Sequence, residues 1–535
     1  MAMSPGTKDS GTIAGSRDHG SPRIDEFELR ARIEEVLNRW PAVGLAVGVV
    51  RDGSLEFFHG HGVVDVASGT PITEETVFRI GSITKTFTAI AAMQLWEQGS
   101  IDLDAPANDY LRGYQLIPAK AGFRPATVRH LLTHTAGIPE VLHPLDVARP
   151  LFGETVKQGR PVPSLADYYR GGLPIRTEPG TRFTYTDHGF ATLGRIVEEV
   201  SGTSFDGYMR EHIFDPLGMA DTDLVRSERV RSRLATGYTL GSGGAKAVTD
   251  YEVVTVGGGG AYSTTRDMAR YVAALLGGGA NEHRSILKPA TLATMFEPHY
   301  QPDPRVPGIG LAFDRGDAGG HRVMEHGGIL PGFDCQLVVA PDDGVGVLAF
   351  TNGARRAMFW LPNEVAGLVN HLLGVSDRTI RTDIPQHPEL WAELCGWYQL
   401  SARLTDARAR MAAGAGAEVL VRGGRLVLRV LTPMPGAYRV LALHPDDPSD
   451  PYVFRIDLSR FGLGTLRLVF TREPGGRVTA VHLAEGKPLS ARKRSATTNP
   501  RLWATGALGA LAVATTARAV RRASHSSHPR GGSDA

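Results

Sequence analysis

Ser82 and Lys85 stand three residues apart in Gly81-Ser82-Ile83-Thr84-Lys85, a spacing that puts a hydroxyl and an amine on one face of a helical turn. A serine in the first turn of a helix lies near the positive end of its dipole. Burial penalises an ammonium, so a buried Lys85 moves toward a pKa at which its amine accepts the serine proton. The preceding Val77-Phe78-Arg79-Ile80 reads as a strand, and Phe87, Ile90, Ala91, Met93 and Leu95 give the following helix an apolar body. Two more copies of Ser-x-x-Lys exist: Ser285–Lys288, which runs into Pro289, and Ser490–Lys493, in a basic stretch near the tail. Both are read as accidental, and context singles out Ser82. Spacing alone leaves open that Ser82 is an N-cap and Lys85 a solvated helix residue.

Phe183-Thr184-Tyr185-Thr186-Asp187 offers a phenol that relays a proton once a cation stands nearby. Its plain alternative is a core tyrosine with Asp187 capping the next helix. Glu325-His326-Gly327-Gly328-Ile329 offers glycines that let a ligand approach the backbone closely, as an oxyanion-binding strand edge requires. On a strand, Glu325 and His326 point to opposite faces, so Glu325 does not orient His326. A glycine turn with an incidental histidine is the alternative there.

Other constellations fail. His130 and His134 have i,i+4 spacing but no intervening Glu, unlike a zinc-protease helix. Gly257–Gly260 lacks the Lys-Ser or Lys-Thr of a phosphate loop, and no Gly-x-Ser-x-Gly elbow is present. No metal and no cofactor is expected.

The elements that must position these residues are legible as patterns. A helix is predicted over Ile24–Trp40, a strand over Val43–Val50, a turn at Asp52-Gly53 and a return strand over Leu55–Phe58. The Ser82 helix runs to Gln98 and stops at Gly99. Another helix covers Met268–Leu276, with Thr264 and Asp267 resembling a capping box. Leu337–Ala340 and Val345–Thr351 flank Pro341-Asp342-Asp343-Gly344 as a hairpin. Helices mixed with antiparallel hairpins indicate an α+β or three-layer α/β domain.

The chain holds 535 residues, too many for one ordinary domain, and its 42% apolar residues supply ample core. We expect a disordered segment over 1–23, a catalytic domain over 24–374, a linker over 375–388, an all-β domain over 389–492 and a basic tail over 493–535. The all-β reading rests on short alternating runs such as Glu418–Arg422, Arg425–Val430, Thr465–Phe470 and Arg477–Leu483. A formal charge of +2 gives no field that favours nucleic acid. Only eight residues are lysine, so each lysine inside a motif carries weight. Cys335 and Cys395 fall in different domains and are read as separate thiols. The N-terminus lacks the apolar core of a signal peptide, which leads to a cytoplasmic expectation. Leu502–Ala517 is uncharged but at sixteen residues short of the about 20 that span a bilayer; it reads as a weakly structured tail, with peripheral membrane contact the alternative.

Ser82–Lys85, Tyr185–Asp187 and His326–Gly328, in that order, resemble the three active-site elements of the serine β-lactamase-like hydrolases. That family includes class C β-lactamases, penicillin-binding D-alanyl peptidases and carboxylesterases. Val77–Gly81, Gly99–Pro106, Val128–Pro139, Pro216–Met219 and Gly258–Thr264 are similar to the family's phrasing, and the likeness spans roughly Ile33 to Leu373. Leu394-Cys395-Gly396-Trp397-Tyr398 opens a segment similar to the lipocalin-like domain appended to some members.

The resemblance implies a β-lactamase/transpeptidase-like fold with an antiparallel sheet and flanking helices. It implies Ser82 as the acylated nucleophile, Lys85 and Tyr185 as proton shuttles, and an oxyanion hole from the amides of Ser82 and Ile329 beside Gly328. His326 and Asp187 line the substrate site. His326 stands where penicillin-recognising members usually carry Lys, and Asp187 where Asn is common; Asp187 also holds Lys85 protonated more firmly. Both departures weaken recognition of anionic β-lactams and C-terminal carboxylates. They lead to an esterase- or amidase-like expectation for neutral or cationic small acyl substrates. A D-amino-acid-specific peptidase, a peptide cyclase, a β-lactamase and a non-catalytic binding protein on the same fold are the alternatives.

Overall fold

The computed structural model describes residues 25–376, 378–400, 407, 414–430 and 440–501. The expectations for 1–23 and for the apolar tail segment Leu502–Ala517 lie outside the described residues.

The chain opens with α1 (Glu26–Arg39), capped by Asp25, whose carboxylate accepts the Glu28 amide at 3.1 Å. Leu29, Ile33, Val36 and Leu37 recur at helical spacing and are its buried stripe. Strands β1 (Gly44–Arg51) and β2 (Ser54–Gly62) follow. Their turn places Asp52 at φ 50° and Gly53 at φ 78°, the left-handed pair of a tight hairpin. Helix α2 (Thr84–Glu97) is buried on nearly every side, so it has no polar face and forms the centre of the domain. Helix α3 (Asp187–Ser201) begins at the N-cap Thr186 and ends on left-handed Gly202. Asp187 is therefore not the cap; it occupies the first helical position and its carboxylate points inward to Lys85.

Helix α4 (Thr265–Leu276) carries half a capping box. Thr264 Oγ1 accepts the Asp267 amide at 3.1 Å, but the Asp267 carboxylate turns to the Asp221 amide at 2.7 Å and the Thr222 hydroxyl at 2.9 Å. A short aspartate finds donors on the neighbouring loop instead of reaching back to its own cap. Strands β3 (Asp314–Ala318), β4 (His321–Leu330), β5 (Phe333–Ala340) and β6 (Val345–Thr351) complete a six-stranded antiparallel sheet in the order β3-β4-β5-β6-β1-β2. Helix α5 (Ala357–Leu372) packs with α1 on one sheet face, where Trp360 is fully buried; α2 and α4 belong to the core on the other. The result is the helix–sheet–helix layering expected of an α/β domain.

Beyond it lie β7 (Gly396–Gln399), β8 (Gly416–Arg422), β9 (Arg425–Val430), β10 (Leu441–Ala442), β11 (His444–Pro445), β12 (Val453–Asp457), β13 (Thr465–Arg472), β14 (Val478–Leu483) and β15 (Ser490–Arg494). They form one antiparallel sheet in the order β10-β9-β8-β7-β15-β14-β13-β12-β11. It wraps around its own core, which includes Tyr398, Leu426, Phe454 and Phe470, as a nearly closed, lipocalin-like barrel.

The barrel is fastened to the α/β domain. Arg305 donates to Asp450 at 2.7 Å and to the Phe470 carbonyl at 2.9 Å across the boundary, and to Asp303 on its own side at 2.8 Å. Val306 joins Val453, Val469 and Ala484 in a small apolar cluster. Hydrogen bonds to charged groups contribute about 1.5–3 kcal/mol each. Arg305→Ala is therefore expected to lower the urea-unfolding free energy by about 2–4 kcal/mol and to speed tryptic cleavage within 375–388. Unchanged unfolding and cleavage would contradict this docking.

Candidate active site

Gly81–Ile83 is a single 3-10 turn between the Val77–Arg79 strand and α2, and Gly81 takes φ 52° to make it. The Thr84 hydroxyl donates to the Gly81 carbonyl at 2.6 Å and accepts the Ala261 amide at 3.0 Å, which locks the turn at the head of α2. Lys85, one residue into the helix, has no exposed surface.

Its ammonium is surrounded by acceptors. Lys85 Nζ donates to Ser82 Oγ at 2.9 Å, to the Gly258 carbonyl at 2.5 Å, and to Asp187 Oδ1. Asp187 and the Gly258 carbonyl offset the desolvation of its charge. Accepting from Lys85 leaves the Ser82 hydroxyl proton directed elsewhere.

Tyr185 lies beside the same ammonium. Lys85 Nζ lies 4.9 Å from its ring centroid. His134 stacks on it with centroids 4.4 Å apart, and His326 stands 6.5 Å away. His134 Nδ1 accepts the Thr186 amide at 3.2 Å, so His134 fixes both the tyrosine ring and the cap of α3. The sequence marked His134 only as one member of a failed metal pair.

Strand β4 runs along the other side. A Cβ on Gly328 would fall 1.9 Å from the Ile80 carbonyl oxygen, and one on Gly81 would fall 2.8 Å from the Ile329 nitrogen. Both glycines are needed for the strand to approach the serine turn, and the approach brings the Ser82 and Ile329 backbones to one gap. His326 points inward from this strand and is 2% exposed. Its Nδ1 donates to the Gly327 carbonyl at 2.7 Å, which leaves Nε2 as an acceptor. Glu325 takes the opposite orientation and is held by Gln336 at 2.9 Å.

Ser82, Asp187, Gly258, Gly259 and Ile329 line a small pocket together with Leu151, Val253, Leu330 and the buried carboxylate Glu154. Glu154 accepts from Thr255 at 2.8 Å. Nothing in the sequence around it set Glu154 apart.

A cation arrives from the second domain. Lys487, on the loop between β14 and β15, places Nζ 4.3 Å from the Tyr185 ring centroid and 2.9 Å from Asp314 Oδ2. The barrel thus brings a second lysine beside Tyr185, on the side where His326 stands. The signal was Lys487's rarity as one of eight lysines, but no local motif announced it.

Burial, with the Lys487 and Lys85 charges, drives His326 well below its ordinary value. Burial and the same two lysines do so to His134. The unfolded chain thus binds more protons, so the stability these histidines contribute is complete above about 6.5 and is lost as pH falls below it. Glu325 has the opposite sign: burial, then Asp314, push its carboxyl up to about 7. Its contribution is complete below the unfolded glutamate value and is lost as pH rises through 7. Melting temperatures between pH 7.5 and 5.5 should show His326→Gln softening the loss on acidification and Glu325→Gln steepening it. Parallel curves for all three proteins would refute these assignments.

With this geometry in hand, relatives are informative. The chain is 30% identical over 242 residues to a β-lactamase of Yersinia enterocolitica, covering 43% of this chain and 54% of that protein. It is 29% identical over 227 residues to the esterase EstB of Burkholderia gladioli, covering 41% and 57% respectively. The matches span little more than half the length of these curated relatives. The octameric penicillin-binding protein homologue from Pyrococcus abyssi shares the fold, with a TM-score of 0.57 and 24% identity over 88% of this chain and 100% of that one. The β-lactamase family model matches residues 29–366, which contain the Ser82 turn, Tyr185 and the glycine-edged strand, and the chain belongs to the β-lactamase family.

Proposed function

We propose that the protein is a serine acyl hydrolase that forms an acyl-enzyme on Ser82 with small ester or amide substrates. The observation that carries this reading is the hydrogen bond from the fully buried Lys85 ammonium to Ser82 Oγ at 2.9 Å, beside the Tyr185 ring. Ser82 Oγ attacks the substrate carbonyl carbon. Tyr185, as a phenolate beside the Lys85 ammonium, takes the serine proton and passes it to the leaving oxygen or nitrogen as its bond to carbon breaks. Water then attacks the acyl carbon as the Tyr185 phenolate accepts its proton, and that proton returns to the Ser82 oxygen as the carboxylic acid leaves. The amides of Ser82 and Ile329 stabilise the oxyanion, a role in which one donor contributes about 2.7–4 kcal/mol.

The pocket beside Ser82 receives the acyl group. Its apolar walls and the Glu154 and Asp187 carboxylates favour neutral or amine-bearing acyl groups and disfavour anionic ones. Glu154 also favours a second reading, a peptidase or peptide cyclase acting on an amino-acyl group whose amine meets that carboxylate.

Rates with 4-nitrophenyl acetate, 4-nitrophenyl 3-aminopropanoate and 4-nitrophenyl hemisuccinate test the acyl preference. The hemisuccinate should be at least tenfold poorer in kcat/KM, and Glu154→Gln should erase the advantage of the amine. A hemisuccinate rate equal to the others would overturn it. Gly328→Ala, by pushing β4 from the serine turn, should lower kcat/KM for all three by about 10²–10³-fold; near-wild-type turnover would remove the strand edge from the oxyanion site.

A further inference from the structure

A second concavity lies where the α/β domain, the connecting segment and the barrel meet, and it shares no lining residue with the pocket at Ser82. It is an open cleft of about 510 Å³, a size that accepts a small organic molecule. Pro304 and Pro307 of the α/β domain give it an apolar edge. Arg378 and Arg381 come from the connecting segment, and Arg455, Arg467 and Glu485 from the barrel. With Arg305, five guanidiniums line it, against the carboxylates of Asp317, Asp446 and Glu485.

Those carboxylates are already engaged. Asp446 accepts from Arg455 Nε at 2.8 Å and Nη2 at 2.9 Å. Glu485 accepts from Arg378 Nη1 at 2.5 Å, Arg455 Nη1 at 3.0 Å and the Arg467 amide at 3.1 Å. Asp317 accepts from Arg378 at 3.4 Å and from the Gly320 amide at 3.1 Å. Two of the arginines are not so spent. Among the described residues the Arg467 guanidinium makes no hydrogen bond: Asp446 and Asp447 stand 3.3 Å and 3.6 Å away without the alignment of one, and its Nε is buried without a partner. Arg381 binds Asp383 through Nε and Nη2 and leaves Nη1 unbonded. Arg381 also feels Asp446 and Asp447, so the open donors of both arginines lie in one region. An incoming cation meets carboxylates already paired with guanidiniums, whereas an incoming anion meets unused N–H donors.

We propose that this cleft binds an organic phosphate, with its phosphoryl group on Arg467 and Arg381 and its uncharged part against Pro304 and Pro307. A carboxylate ligand offers only what Asp446 and Glu485 already supply. A phosphate monoester carries nearly two charges at neutral pH and three oxygens that can bridge two guanidinium forks. Bound there, it ties the connecting segment to the barrel. The loop that gives Glu485 to the cleft also carries Lys487 to the Tyr185 ring, so the ligand steadies the barrel where it meets the active site. The proposal is independent of the acyl chemistry assigned to Ser82.

Calorimetry of the full chain with phenyl phosphate and with benzoate, at constant ionic strength and pH 7.5, tests it. Phenyl phosphate should bind with a dissociation constant below about 1 mM and at least tenfold more tightly than benzoate. Arg467→Gln and Arg381→Gln should each weaken its binding tenfold or more. The Arg381 side chain is 44% exposed, so that variant reports on the site without disturbing the core. Lys487→Met should leave binding unchanged. Saturating phenyl phosphate should also slow tryptic cleavage after Arg378 severalfold in the wild-type protein and not in Arg467→Gln. Absence of binding, benzoate binding as tightly as phenyl phosphate, or binding that survives both arginine substitutions would overturn the proposal. Loss of binding in Lys487→Met alone would place the phosphate in the active site and overturn it equally. Binding without protection at Arg378 would show that the ligand does not bridge the connecting segment and the barrel.

Discussion

A buried ammonium is the constraint on which this molecule turns. Taking Lys85 out of water costs several kcal/mol unless oxygens replace its hydration shell. The fold supplies three of them from three separate elements: Ser82 from the 3-10 turn, Asp187 from the first turn of α3, and the carbonyl of Gly258 from a glycine-rich segment. Satisfying the lysine therefore assembles the site. The turn, the helix and the loop cannot move independently without exposing a charge that has nowhere else to go.

That constraint explains what the sequence made visible. Ser82 and Lys85 are legible because their spacing is local and the apolar residues after them predict a buried helix. Tyr185 and Asp187 are legible as a motif, but the use of Asp187 was not. The stretch suggested a cap; Thr186 takes that role, and the carboxylate one residue on turns to Lys85. Gly328 reads as a close approach, and the 1.9 Å between its missing Cβ and the Ile80 carbonyl gives the reason.

What escaped the sequence is long-range. Glu154 reaches the pocket from an irregular segment, where neither period nor turn chemistry marks a side chain as facing inward. Lys487 lies 402 positions beyond Lys85, on a hairpin of another domain, and its meaning depends on how that domain docks through Arg305. His134 was visible as a residue but not as the support of Tyr185, because ring stacking leaves no spacing rule in the chain. The all-β character of the C-terminal half was plain from alternation, whereas its nine-strand order was not, since the pairing of β7 with both β8 and β15 joins distant segments.

The most direct measurement is peptide-mass mapping of protein quenched during turnover of 4-nitrophenyl acetate. The account predicts a 42-dalton acetyl increment confined to the peptide bearing Ser82, absent in Ser82→Ala and strongly reduced in Lys85→Ala. Acetylation on another side chain, or undiminished acetylation of Ser82 without Lys85, would contradict it.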